Sequence, residues 1–180
     1  MTRRLYYITL IIVLSIQIFT IQCGGGFTVQ KIVCRSFGSS FTYFKQCDIQ
    51  QIAGRHVFKV YAVILYKDPI DDIMVSLSLY KLSKTYSLTL INETVDYCAF
   101  MKNRITSRVI GYVVNMLAKY ASFNYSCPVQ QKDIIVAGSY PIQGVLHQIP
   151  APSGNYMFRL QITSLKKWKQ DIKVYAFKQK

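Results

Sequence analysis

The 180-residue sequence predicts a mainly β fold, an immunoglobulin-like two-sheet β-sandwich or cup with one amphipathic α-helix inserted. Three observations predict it. Several short segments alternate apolar and polar residues with period two, which gives each strand one apolar and one wet face. Gly, Pro, Asp and Ser supply turn chemistry between those segments. A single stretch changes to three- and four-residue spacing, the period of a helix. Antiparallel sheets packed face to face produce this combination.

Arg3 and Arg4 precede an apolar run over residues 5–19, and small and polar residues follow as far as Gly26. This is the order of a secretory signal peptide. The run is interrupted by Thr9, Ser15 and Gln17. It is also shorter than the roughly 20 residues that span a bilayer, so a retained anchor is the weaker reading. Residues 1–23 are therefore read as the signal, with cleavage between 20 and 26, and residues 27–180 as one secreted domain. Hydrophobic residues make up 51% of the chain and charged residues 17%, a balance that excludes disorder. The formal charge of +14 falls to +12 without Arg3 and Arg4. On a secretory route that excess is directed at anionic membranes, glycans or acidic partners, or simply solvates the surface, and nucleic acid is set aside.

Of five cysteines, Cys23 falls in the signal, leaving Cys34, Cys47, Cys98 and Cys127 for two disulfides. Three pairings exist. Residues 27–36 and 41–50 read as strands on either side of a Gly38-Ser39-Ser40 turn, which as a hairpin sets Cys34 opposite Cys47 and leaves Cys98 for Cys127. Zinc is disfavoured because no close Cys-x-x-Cys pair occurs, and no metal site is expected.

Further along, residues 57–66, 73–82 and 85–91 read as a three-stranded meander. Their apolar faces carry Phe58, Val60, Ala62 and Ile64, then Ile73, Val75, Leu77 and Leu79, then Tyr86, Leu88 and Leu90. Ile105, Val109, Tyr112, Val113, Met116, Leu117 and Tyr120 follow at helical spacing, with Thr106 or Ser107 as the cap. A short strand near 134–137, a loop rich in Pro and Gly and two closing strands complete the chain. The first closing strand turns Tyr156, Phe158, Leu160 and Ile162 inward, and the second covers 171–177.

A lipid or other hydrophobic ligand held between the sheets would be lined by Phe58, Val60, Ile64, Val75, Leu77, Leu88, Phe158 and Leu160. The same alternation also builds a dry core. Lys166, Lys167, Trp168 and Lys169 fall between the closing strands, where an exposed hairpin tip would touch an anionic membrane or glycan surface. The competing reading is a solvated tip with Trp168 folded back on the core. Asn92-Glu93-Thr94 and Asn124-Tyr125-Ser126 are glycosylation sequons, which mark Asn92 and Asn124. No nucleophile elbow, zinc-protease helix or phosphate loop occurs, so no catalytic residue and no cofactor is expected.

The ordered set of Cys34, Cys47, Asp96-Tyr97-Cys98-Ala99-Phe100, Asn124-Tyr125-Ser126-Cys127-Pro128 and Pro152-Ser153-Gly154-Asn155-Tyr156 resembles an insect family of small secreted proteins of unknown function. That family is related to the CheB chemosensory proteins and lies within the ML lipid-recognition superfamily, which is similar to the ganglioside activators. The resemblance runs from Phe27 to the C-terminus. It implies a cup that holds a lipid chain between two sheets, in a chemosensory or pheromone-related role. Tyr125, where that family often has histidine, and the absence of an Asn-Pro pair after Phe100 keep any particular protein partner from carrying over. The expectation is a secreted binding protein, and its rival is a non-catalytic interaction protein with a filled core.

Overall fold

The computed structural model describes residues 27–52, 55–103, 107–117, 127–130, 133–138 and 151–179. The signal segment, the sequon at Asn124 and the loop over 139–150 lie outside the described residues. Eight strands and two helices are found among them: β1 (Phe27–Ser36), β2 (Thr42–Ile52), β3 (Arg55–Ile64), β4 (Ile73–Leu82), β5 (Ser87–Asp96), α1 (Tyr97–Lys102), α2 (Arg108–Leu117), β6 (Asp133–Gly138), β7 (Gly154–Ser164) and β8 (Trp168–Lys178). They form a five-stranded sheet in the order β1-β8-β7-β4-β5 and a three-stranded sheet in the order β2-β3-β6. Every strand pairing is antiparallel.

The expected first hairpin does not form. β1 pairs with β8 in the large sheet and β2 with β3 in the small one, so the turn near Gly38 carries the chain from one layer to the other. The turn is closed by the Phe41 and Thr42 amides, which donate to the Gly38 carbonyl at 2.9 and 3.1 Å. The expected meander is likewise corrected: β3 and β4 lie in different sheets, and a hairpin joins β4 to β5 alone. Alternation reports which face of a strand is apolar, and that face looks the same whether the next strand pairs beside it or packs across from it.

Register fixes the inner face. Leu77, Leu160, Ile172 and Cys34 stand side by side across β4, β7, β8 and β1, and Leu79, Phe158, Val174 and Ile32 form the neighbouring row. Residues directly opposite in antiparallel strands share a face. At one end of the sandwich the buried Phe27, Val29, Leu79, Tyr156 and Ala176 pack against Ile49 and Phe58 of the small sheet. Phe27 meets the rings of Tyr156 and Phe158 edge to face, with centroids 5.4 and 6.0 Å apart. At the other end Phe41, Ile70 and Ile73 are buried against Ile64, Val75, Ile162 and Trp168.

Three findings concern the middle of the chain. An unexpected helix, α1, follows β5 directly, because the Asp96 side chain caps it by accepting from the Ala99 amide at 2.9 Å. The expected helix runs over Arg108–Leu117, with Ser107 as its cap, while Ile105 and Tyr120 lie outside the described residues: the Ser107 hydroxyl accepts from the Ile110 amide at 3.0 Å. In β5, a bulge at Leu90 breaks the alternation. Tyr86, Leu88 and Leu90, expected on an inner face, are 67, 53 and 42% exposed.

Candidate functional site

The two disulfides join the expected partners, Cys34 with Cys47 and Cys98 with Cys127. Their placement differs from the hairpin argument. Cys34 belongs to the inner row of the large sheet and Cys47 to the small one, so their bridge, with Cα atoms 6.1 Å apart, clamps the two layers together. Cys127 precedes a segment whose Val129 exchanges two backbone hydrogen bonds with Ile70, at 2.8 and 3.0 Å. The second bridge therefore ties α1 to the connection between the sheets.

Three strands cannot cover five. The disulfide sets β2 against β1, and although Ile73, Val75 and Leu79 of β4 share the end clusters with Ile49, Phe58 and Ile64 of the small sheet, the edge strand β5 contributes no fully buried residue to either cluster. There the inner row continues from Leu77 to Glu93. Ser107 donates its hydroxyl to the Glu93 carboxylate while capping α2, and this fixes the start of the helix at the inner face of β5. Ile110, one turn on, is buried. The interior is thus bounded by two sheets and by the entry to an amphipathic helix.

Within it the expected lining residues separate. Phe58 and Phe158 belong to the packed cluster at one end, and Ile64 and Val75 to that at the other. Val60 is buried. Leu77 and Leu160 share the central row with Ile172, and all three are only half-buried. Leu88 does not join them, since it stands exposed on the edge strand beside the bulge.

At the β7–β8 turn, Lys166 and Lys167 are exposed and Leu165 and Lys166 have positive φ values of 52 and 54°. Trp168 is the first residue of β8 and does not project with them. Its indole lies flat on Phe41, with centroids 5.4 Å apart and ring planes at 7°. Gly38 completes the seat, because a Cβ there would stand 2.2 Å from Trp168 Cε3. Sequence reasoning missed this pair, although a glycine in a turn signal was the available hint. Lys167 Nζ sits 4.6 Å from the centroid of the same indole.

On the outer face of the large sheet, Arg159 forms a two-pronged contact with the buried Asp171: Nε donates to Oδ1 at 2.7 Å and Nη2 to Oδ2 at 3.2 Å. Lys173 approaches the same carboxylate at 3.4 Å. Hydrogen bonding and charge from Asp171, with help from Tyr80, hold the Arg159 guanidinium above its ordinary value against an opposing effect of burial. Asn92 is exposed on the outer face of β5, and its Oδ1 accepts from Ser78 Oγ at 3.0 Å. Thr94, the third residue of the sequon, lies on the same face and shares a 2.8 Å hydrogen bond with Ser76. Among the described residues no group of three His, Cys, Asp or Glu side chains gathers at metal-binding distance. No helix among them is long and apolar enough to cross a membrane.

A family profile described as protein of unknown function (DUF1091) matches residues 75–158, from the start of β4 to the middle of β7. No curated protein matches the chain.

Proposed function

We propose that the protein is a secreted, non-catalytic carrier that holds a lipid chain or another hydrophobic ligand between its two sheets, in the manner of an ML-type, immunoglobulin-like cup related to the CheB proteins. The observation that carries this reading is the inner face between the two buried cluster centres: Leu77, Leu160 and Ile172 are only half-buried there, as are Phe58, Phe158, Ile64 and Val75 beside them. Protein interiors ordinarily pack to crystal-like density, so half-buried leucines in the central row point to space that an apolar ligand can fill. Two disulfides suit an oxidising compartment, which supports secretion.

The rival, a filled sandwich that serves as an interaction protein, is favoured by the edge-to-face packing of Phe27 with Tyr156 and Phe158. Native mass spectrometry of protein secreted from insect cells decides between them. A carrier shows discrete adducts of lipid mass that organic extraction removes. Bare protein alone, both as purified and after incubation with a mixed lipid extract, rules the carrier out.

A further inference from the structure

The outer face of the large sheet holds a second feature, a cleft of about 510 Å³ at the end where β4 turns into β5. Leu82, Asn155 and Tyr175 face outward there, since each is one residue out of phase with an inner position of its strand. Gln30, the bulge residue of β1, closes one side, Ser83 and Lys84 of the turn close the other, and Tyr156, whose ring is packed in the inner cluster, also borders it. The cleft therefore crosses four strands, about 14 Å at the usual strand spacing. Its walls offer two side-chain amides, a phenol, a serine hydroxyl and an ammonium group.

The charge around it is one-sided. Lys31 stands opposite Tyr175 in register, the next outward row carries Arg159 and Lys173, and Lys84 lines the cleft itself. Among the described residues of β1, β4, β7 and β8, the one outward carboxylate is Asp171, which is buried and held by Arg159 and Lys173. Lys31 and Lys84 are exposed.

We propose that this face binds an acidic oligosaccharide. Amides and hydroxyls match sugar hydroxyls, the Tyr175 ring gives a pyranose an apolar face to rest on, and the lysines pair with sulfate or carboxylate substituents. A cleft that crosses four strands takes several linked rings rather than one. The lining itself is mostly polar, which suits sugar hydroxyls better than acyl chains, while the exposed Tyr86 of the same turn and Phe177 opposite Asn155 make a bilayer the competing partner that the vesicle arm of the test decides. The inference does not rest on the lipid reading, since Leu82, Asn155 and Tyr175 face away from the inner row of Leu77, Leu160 and Ile172.

The test is titration of the full secreted protein with a heparin-derived hexasaccharide, with its desulfated counterpart and with phosphatidylserine-containing vesicles, at low and high salt. Wild type is expected to bind the sulfated hexasaccharide at least tenfold more tightly than the desulfated one, with affinity falling as salt rises. Lys31→Ala with Lys84→Ala should weaken binding at least tenfold, and Gln30→Ala with Asn155→Ala at least threefold with an unaltered salt dependence. Lys166→Ala with Lys167→Ala, at the opposite end of β7, should stay within twofold. All six positions are exposed, so the variants should keep the wild-type melting temperature. An unchanged affinity in the Lys31 and Lys84 variant overturns the proposal, as does an equal loss in the Lys166 and Lys167 variant, which would show diffuse attraction. Vesicle binding without hexasaccharide binding overturns it in favour of a membrane partner.

Discussion

Two residues show how much the structure asks of single side chains. Gly38 is required by contact, since any Cβ would enter the ring of Trp168, the chain's single tryptophan, which is already stacked on Phe41. Gly38→Ala should displace the indole and cost about 1–3 kcal/mol, the usual range for overpacking. Tryptophan emission and urea denaturation read both effects: a red-shifted native spectrum and a lower midpoint are expected. Tyr156 makes a different demand. Its ring is fully buried, its hydroxyl donates to the Pro152 carbonyl, and burial raises its pKa above the ordinary 10.0. Folding therefore favours the neutral phenol. Below pH 10 that contribution is complete; as pH rises toward the raised folded value, the unfolded chain ionises first and the contribution is lost. Tyr156→Phe should cost about 1 kcal/mol at neutral pH through the lost hydrogen bond. The gap to wild type should shrink between pH 9 and 11, which urea melts across that range will show.

At the scale of elements, the sequence made faces legible and partners illegible. The boundaries of β1 and β4 and the inward set Tyr156, Phe158, Leu160 and Ile162 of β7 follow from period-two alternation. The crossing from β1 to β2 does not, because a strand that leaves for the opposite sheet carries the same pattern as one that turns back in a hairpin. The Cys34–Cys47 pairing came out right on a premise the topology removes: 13 residues can close equally well across a sandwich as along a hairpin. Glu93 was hidden in a different way. Reading Asn92-Glu93-Thr94 as a sequon accounted for the polar residues, yet Glu93 points inward, opposite Leu77, to receive the Ser107 hydroxyl. Ser107 serves both partners at once, so Ser107→Ala removes the cap of α2 and also leaves a half-buried carboxylate without that donor. A loss of about 1–2 kcal/mol is expected, at the upper end for a cap. Ser107→Ala with Glu93→Gln, compared with each single change in thermal melts, should show coupling of at least 0.5 kcal/mol between the two groups.

Across the whole molecule, the five-against-three sheet arrangement decides what the interior can be. A three-stranded sheet anchored over β1 by a disulfide leaves the edge strand β5 to the helical segment, whose Ser107 meets Glu93, and the half-buried row of Leu77, Leu160 and Ile172 runs toward that side. Leu160 sits in the central strand of the large sheet, between Leu77 and Ile172, and is the best place to ask whether the interior is empty or filled. In a carrier, Leu160→Trp puts an indole where the ligand would lie. Co-purified lipid should fall at least fivefold by native mass spectrometry, while the delipidated variant keeps its stability to within about 0.5 kcal/mol, because vacant volume accepts the larger ring without strain. Wild type should also lose stability on delipidation, since a ligand that binds the folded state alone stabilises it in proportion to the logarithm of its concentration over Kd. A filled core behaves in the opposite way: Leu160→Trp then costs about 1–3 kcal/mol from overpacking, and extraction changes neither protein. Urea midpoints of both proteins before and after extraction separate the two outcomes, and a destabilised variant beside a wild type indifferent to extraction would remove the ligand from the interior.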